Sequence, residues 1–360
     1  MTRAAVIGCG DVSSVHLAAI TANPAIELVG VCDAEPSVLA AAAAAYGVPG
    51  FADHRELLDE MQPDVVHICT PHHQHAAIAV ACVERGINVV LEKPLAHTVA
   101  EGQRLVLAAA ARPDVKIGVC FQNRYNAPVA AMRRLLNSGE LGAVAGASAT
   151  VIWERSAEYY RAKPWRGRWA TSGGGLLMNQ AIHTVDLLQW LLGDVTDVRG
   201  HAGNNSLADD IEVEDTAEMM LTHSGGARTV LYATVANSVN APVTIEVTTE
   251  AATLRLSGDL VVTYADGRTT TVAERLVSSA GKDYWGASHS LLIDDFYARL
   301  GDAAPFWISP VEAAKSLRII QDLYAYSEAA VGLGYPGALA GASVGLVGVS
   351  RAGRIPQTTT

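Results

Sequence analysis

Lys93 stands between Glu92 and Pro94, at the end of the apolar run Val89-Val90-Leu91. A buried amine there can hold an oxygen as charge develops on it, and burial lowers its pKa toward the range where it exchanges protons. Pro94 cannot donate to a sheet ladder and favours an extended Lys93, so the strand stops here. Lys93 is thereby held at the carboxyl end of a strand, where open α/β sheets bind ligands. A second group follows Gly173-Gly174-Gly175, whose lack of side chains permits close backbone approach. Asn179, His183 and Asp186 are spaced i, i+4, i+7, which predicts one shared helical face. An imidazole of ordinary pKa takes or gives protons near neutrality. Leu187, Leu188, Trp190 and Leu191 bury that helix, so its polar stripe needs partners. A substrate with several hydroxyls would supply them; a His183–Asp186 bond inside the core is the alternative.

A third group binds rather than reacts. In Gly8-Cys9-Gly10-Asp11-Val12-Ser13, Gly8 makes a tight turn and Gly10 lets the backbone approach a pyrophosphate at a helix N-terminus. Ser13 replaces the third glycine of the GxGxxG fingerprint, so the motif rests on its context. That context is a strand before it, a helix after it, and Asp33 at the end of the next strand, 25 residues beyond Gly8. Asp33 would accept bonds from ribose hydroxyls and repel a 2′-phosphate. Ala34-Glu35 follows it, with no arginine, which favours NAD over NADP.

These groups need a frame. Strands at Ala4–Gly8, Glu27–Cys32, Val48–Phe51, Val65–Cys69, Val89–Leu91 and Val115–Cys120 alternate with helices at Val12–Thr21, Pro36–Tyr46, His54–Met61, His75–Glu84 and Val99–Ala111. Such alternation implies an α/β fold with a doubly wound parallel sheet. After a helix at Pro128–Leu136 the pattern changes to two-residue alternation. Strands are expected at Val144–Trp153, Val195–Ala202, Val213–Thr222, Arg228–Val235, Val243–Thr249, Thr253–Ser257 and Leu260–Tyr264, joined largely as antiparallel hairpins. Helices at Ser288–Leu300 and Val311–Ala330 follow, and a Gly/Ala-rich tail over 331–360 is expected to be loosely held. The organisation expected is thus a Rossmann domain over 1–122, a second domain over 123–330, and the tail.

With 360 residues, half of them hydrophobic, the chain has material for two cores. A net charge of −11 and a pI near 5.4 disfavour nucleic acid and acidic membranes as partners. The five cysteines lack CxxC spacing and read as small core residues of a reducing compartment, which points to the cytoplasm. The first apolar run reads as a strand rather than a signal peptide, and no apolar stretch reaches the ~20 residues of a membrane span. His72, His73 and His75 cluster without a partner in zinc-ligand spacing, so no metal is expected; His75 should face the cofactor crevice or cap its helix.

The GCG turn, Thr70-Pro71…His75 and above all Glu92-Lys93-Pro94 resemble the glucose-fructose oxidoreductase/inositol dehydrogenase/rhizopine catabolism (Gfo/Idh/MocA) family over roughly residues 3–330. The resemblance implies a second domain built on an open, mostly antiparallel sheet, with the last helix packing back on the first domain. It also implies NAD(P)-dependent hydride transfer on a sugar, inositol or related polyol. The stretch 173–186 resembles the family's GGGxxxDxGxHxxD motif, with Asn179 for the usual aspartate and Ala181 for the usual glycine. A Lys/Asp/His triad thereby becomes a Lys93/His183 pair assisted by an amide that cannot titrate. The cofactor set expected is Gly8, Cys9, Gly10, Asp11, Val12, Asp33, Thr70, Pro71, His75, Glu92 (at the nicotinamide end), Lys93 and Gln122. The substrate set is Lys93, Arg124, Trp165, Arg166, Asn179 and His183, and Lys93, His183 and Asn179 are the catalytic residues. The loop Glu154–Trp169, with Tyr159, Tyr160, Trp165, Arg166, Arg168 and Trp169, suits sugar rings or acidic sugars. A homodimer or homotetramer through the second sheet is expected. A non-catalytic dinucleotide-binding sensor, and an NAD-dependent lyase or glycosidase working through transient oxidation, remain alternatives.

Overall fold

Ala4–Ile7, Val65–Ile68 and Val89–Leu91 are each at most 1% exposed, as largely apolar strands covered on both faces must be. They are the middle of a six-stranded sheet in a computed structural model that describes residues 1–274 and 288–331. Its strands are β1 (Thr2–Ile7), β2 (Ile26–Cys32), β3 (Gly50–Phe51), β4 (Val65–Ile68), β5 (Asn88–Leu91) and β6 (Ile117–Val119). They run in the order β3-β2-β1-β4-β5-β6, every pair parallel. Helices α1 (Ser13–Ala22), α2 (Pro36–Tyr46), α3 (His54–Met61), α4 (His72–Glu84) and α5 (Val99–Ala111) form the crossovers. The winding reverses between β1 and β4, so a crevice opens where Ile7 and Ile68 end in register. Helix α4 starts three residues before the position the spacing predicts, because Pro71, with φ −58° and no N–H to satisfy, leads straight into it.

The second half begins with a 3₁₀ turn (Gln122–Tyr125) and α6 (Ala127–Ser138). Its sheet comprises β7 (Val144–Ile152), β8 (Val195–Gly203), β9 (Thr216–His223), β10 (Arg228–Thr234), β11 (Thr244–Thr249), β12 (Ala252–Ser257), β13 (Asp259–Tyr264) and β14 (Thr269–Val272). The order is β14-β13-β12-β11-β7-β10-β9-β8. Hairpins β9–β10, β11–β12 and β12–β13 form as the turns predict. The consecutive strands β10 and β11 do not pair; they flank β7 on opposite sides, and β10 runs parallel to it. Strand β14 escaped the sequence reading because its Thr-Thr-Thr-Val has no apolar alternation.

Two short helices, α7 (Ala157–Arg161) and α8 (Trp169–Ser172), break the stretch that reads as a loop, and α9 (Ile182–Leu192), α10 (Ser288–Ala298) and α11 (Pro310–Val331) complete the chain. Helices α6, α9 and α11 pack on one face of the second sheet, and the opposite face leaves Met220, Val230 and Tyr232 exposed. Helix α10 packs on α1. Helix α11 returns to α5, so close that a Cβ on Gly102 would lie 3.0 Å from Leu317 Cδ2. One buried apolar cluster runs through both halves, from Ile7 and Leu91 to Leu231 and Leu323. No helix among the described residues is long and apolar enough to cross a membrane. The expected loose tail lies, from residue 332 on, outside the described residues.

Candidate active site

A cavity of about 2250 Å³ follows the carboxyl edge of the first sheet, from the glycine turn to the second half of the chain. That exceeds the few hundred to ~1,000 Å³ of an ordinary small-ligand site, so there is room for a dinucleotide and a second molecule. Gly8, at φ +90°, passes so close to β4 that a Cβ would sit 2.7 Å from the Cys69 carbonyl carbon. A Cβ on Gly10 would meet nothing within 4 Å, so this backbone lies open to the cavity. Ser13 folds its hydroxyl back to the Gly10 carbonyl at 2.6 Å and is itself buried, which explains why a third glycine is dispensable. Asp33 braces the turn: Oδ2 accepts from the Cys9 N–H at 2.7 Å and Oδ1 from the Glu35 N–H at 2.8 Å. The Cys9 amide is therefore committed to Asp33.

Lys93 lies deeper in the same cavity. Its Nζ donates to the Asn179 carbonyl at 2.9 Å, with Asn179 Oδ1 at 3.5 Å. Burial draws the amine below its ordinary 10.5, and Glu92 partly restores it. His183 reaches the cavity beside it, its ring edge-on to Phe121 at 6.0 Å and its Nδ1 without a partner. Burial, with Lys93 adding to it, pushes His183 down to about 3. Against the expectation of a histidine titrating near neutrality, burial thus favours a neutral imidazole at His183.

The shared helical face is also corrected. Leu177–Ala181 is a π-helical turn, which keeps Asn179 and His183 both on the cavity wall. Asp186 turns away into the core. There Arg124 Nε and Nη2 donate to its two oxygens at 2.7 and 2.6 Å, and Ser316 Oγ adds a bond at 3.0 Å. Arg124 Nη2 also reaches Glu312 at 3.0 Å. Arg124 is 2% exposed and does not line the cavity, so it is a core ion-pair residue and not a substrate contact. The same bond disposes of a His183–Asp186 pair.

Among the other expected residues, Asp11, Val12, Thr70, Pro71 and Gln122 all line the cavity. His75 lines it too, but its nitrogens face the Pro94 and Thr70 carbonyls at 2.7 and 2.8 Å. His72 turns instead to the Ser172 carbonyl at 2.8 Å and packs at a tilt against Trp165, ring centroids 4.8 Å apart, so the three clustered histidines do not converge. Glu92 is 5% exposed and already engaged: Oε1 faces His16 and His289, and Oε2 accepts the Lys93 N–H at 3.2 Å. Arg166 spans the crevice. Its guanidinium lies 4.1 Å over the Tyr159 ring and 3.6 Å from Asp11 on the glycine turn. Thr70 Oγ1, Gln122 Oε1, Arg166 Nε, Gln180 Oε1 and His183 Nδ1 are buried around this space without a partner. Unpaired buried polar atoms are costly, so such a cluster fits a polar ligand of the dinucleotide and polyol kind.

The family models agree with this architecture. That of an oxidoreductase family with an NAD-binding Rossmann fold matches residues 2–121, and the GFO/IDH/MocA C-terminal domain matches residues 129–255. The chain belongs to the Gfo/Idh/MocA family. A D-apiose dehydrogenase of Paraburkholderia graminis is 30% identical over 75% of this chain and 72% of its own. An inositol 2-dehydrogenase of Saccharopolyspora erythraea is 30% identical over 61% and 63%. The solved WlbA dehydrogenase of Bordetella pertussis, in complex with NADH and UDP-GlcNAcA, superposes with a TM-score of 0.78 at 31% identity, covering 91% of this chain and 96% of that one.

Two residues of this Gfo/Idh/MocA site were not singled out from sequence. Tyr159 stood only as one aromatic of a loop, yet its hydroxyl accepts from Asn179 Nδ2 at 3.0 Å and Gln180 Nε2 at 3.3 Å, fixing the amide beside Lys93. Glu214 accepts the Gly175 and Leu177 N–H groups at 2.8 and 2.9 Å and the Tyr324 hydroxyl at 2.7 Å. It ties down the glycine run that precedes Asn179. A lone glutamate between strands carries no sequence signal for that work.

Proposed function

We propose that this chain oxidises a secondary alcohol of a sugar, inositol or related polyol with NAD rather than NADP. The observation that carries this reading is the meeting of Lys93, Asn179 and His183 in the cavity that the glycine turn opens. Bound NAD supplies the hydride acceptor. The chain's own work is to bind and to move a proton. Gly10 and the start of α1 leave backbone free for a pyrophosphate. The Asp33 carboxylate suits ribose hydroxyls and repels a 2′-phosphate. Lys93, its pKa lowered by burial, accepts the proton of the substrate hydroxyl. Neutral His183 and the Asn179 amide hydrogen-bond that oxygen and its neighbour, and Trp165 and Arg166 meet the ring. Cofactor binding is assigned to residues 1–122 and substrate binding to 123–330. The exposed apolar side chains Met220, Val230 and Tyr232 support a homodimer or homotetramer through the second sheet, and the acidic composition supports a cytoplasmic location.

A panel of inositols, aldoses and uronic acids, scored for NADH formation, tests the reading. Lys93→Met should change NAD affinity by less than about 1 kcal/mol and slow turnover by roughly 10²–10⁴-fold. His183→Ala should do likewise, and the double variant should lose much less than the product. Full turnover in both single variants would leave the dinucleotide-binding sensor. Bond cleavage without NADH accumulation would favour the lyase.

A further inference from the structure

The part of the cavity wall built by residues 154–166 carries two cations that no acid among the described residues answers. On the same stretch, the exposed Arg161 and Arg168 pair with Asp210 and Glu212. Arg166 faces Asp11 at 3.6 Å. Arg155 and Lys163 line the cavity, and among the described residues neither makes an ion pair. Glu154, on the same wall, pairs with neither of them. Acids outnumber bases 37 to 26 in this chain, so two unanswered cations on a cavity wall point to an anion from outside.

Arg155 is held in place without its charge being used. Nη1 donates to the Glu154 carbonyl at 2.6 Å and to Asn240 Oδ1 at 3.0 Å. The same Asn240 oxygen accepts the Glu154 N–H at 3.1 Å. The guanidinium lies 5.1 Å from the Trp153 ring centre and 5.4 Å from that of Tyr159. Nε and Nη2 have no partner among the described residues. Those two atoms form the edge of a guanidinium that grips a carboxylate with two parallel bonds. The chain uses that edge at Arg124, where Nε and Nη2 hold Asp186 at 2.7 and 2.6 Å. At Arg155 the edge is unused, and Lys163 adds a second positive charge to the same cavity. Tyr159 connects this spot to the chemistry. Its ring neighbours Arg155, and its hydroxyl accepts from Asn179 Nδ2 at 3.0 Å, beside Lys93. One phenol ring thus links the guanidinium to the amide at the reaction centre, a span that a single sugar ring covers.

We propose that Arg155 and Lys163 select a substrate that bears a carboxylate, a sugar acid oxidised at another of its carbons. The proposal rests on the reading of Lys93, Asn179 and His183 as an alcohol-oxidising site. The carboxylate is a handle and does not react. The hydrogen on the alcohol carbon leaves as hydride to NAD, the hydroxyl proton goes to Lys93, and the products are the keto acid and NADH. Neutral inositols and aldoses have nothing to set against the Arg155 edge.

Pairing each uronic acid with the aldose of the same ring stereochemistry, and measuring NADH formation for both, tests the proposal. The acid should have the higher kcat/KM by about tenfold or more. Arg155→Gln and Lys163→Gln should each lower kcat/KM for the acid by roughly 10–100-fold, through KM, as expected for a lost hydrogen bond to a charged group. Arg155→Lys keeps the charge and loses the fork, so it should recover only part of that loss. The uronamide, neutral and of the same shape, should behave in the native protein as the aldose does. Equal kcat/KM for acid and aldose in the native protein would overturn the proposal. So would variants that lose acid and aldose activity alike, which marks a packing role. A matching rise in the Kd for NAD would also overturn it, by placing the cations on the cofactor. A sugar phosphate turned over better than the uronic acid would overturn the carboxylate assignment. Acid preference beside a fully active Lys93→Met would instead refute the reading of the site itself. Oxidation of neutral polyols with no preference for the acid refutes this inference alone.

Discussion

Replacing Glu214 by glutamine should change how stability depends on pH. Its carboxylate is 3% exposed, and burial pushes it from 4.5 up to about 7 despite three bonds from Gly175, Leu177 and Tyr324. Because the folded pKa is raised, the folded chain holds a proton there that the unfolded chain gives up. The associated stability is present in full below 4.5 and is lost as pH rises through about 7. At 1.36 kcal/mol per pH unit the rise corresponds to about 3 kcal/mol. A glutamine cannot ionise, so it escapes that loss. Its amide nitrogen, however, opposes a backbone N–H, and losing one or two bonds costs about 1–3 kcal/mol. Glu214→Gln should therefore be less stable than the native chain at pH 5 and gain on it by about 3 kcal/mol toward pH 8. Urea unfolding at a series of pH values gives the difference directly. A difference that stays constant over that range would refute the reasoning.

Arg124→Met strands the buried Asp186 carboxylate and should lower stability by about 3–5 kcal/mol, leaving KM unchanged in the protein that still folds; a KM defect with intact stability would return Arg124 to the substrate. Asp33→Ala should shrink a preference for NAD over NADP of roughly tenfold, or about 1.4 kcal/mol, as read by titration with each nucleotide. Equal affinities in the native protein would sink that assignment. Asn179→Asp places a carboxylate where the amide oxygen lies 3.5 Å from Lys93 Nζ. It should hold the ammonium and raise its pKa, so the limb of the oxidation pH–rate profile that reports neutral Lys93 should move to higher pH. A limb that stays in place would exclude Lys93 as the titrating group.

What could be read from the sequence followed from local signals. Helices α2, α3 and α5 carry the expected bounds because their ends are marked nearby. Pro36 opens α2 and Gly47 closes it at φ +66°, the Asp53 side chain caps α3, and the Thr98 hydroxyl caps α5. The glycine turn, Asp33 and the Glu92-Lys93-Pro94 strand end were legible for the same reason. The fate of Asp186 was not, because its partner Arg124 lies 62 residues away and spacing along one helix says nothing about it. Nor was the state of His183, which depends on how completely both halves bury it. The π turn at Leu177–Ala181 and the parallel seat of β10 beside β7 likewise depend on tertiary packing that no short window contains.

Helix α11 gives the molecule a schedule. Tyr324 bonds Glu214 at 2.7 Å, Ser316 bonds Asp186 at 3.0 Å, Gln321 reaches the Gly173 carbonyl at 3.3 Å, and Glu312 holds Arg124 at 3.0 Å. Leu317 meanwhile closes over Gly102 on α5. Every one of those partners leaves the ribosome more than ninety residues before α11 begins at Pro310. At about 5–20 residues per second, the glycine run, the buried aspartate and the first sheet's outer layer wait several seconds for the braces that finish them. A nascent chain halted before residue 310 would thus hold Lys93, Asn179 and His183 and still lack the means to fix them. Catalytic competence in this protein waits for α11.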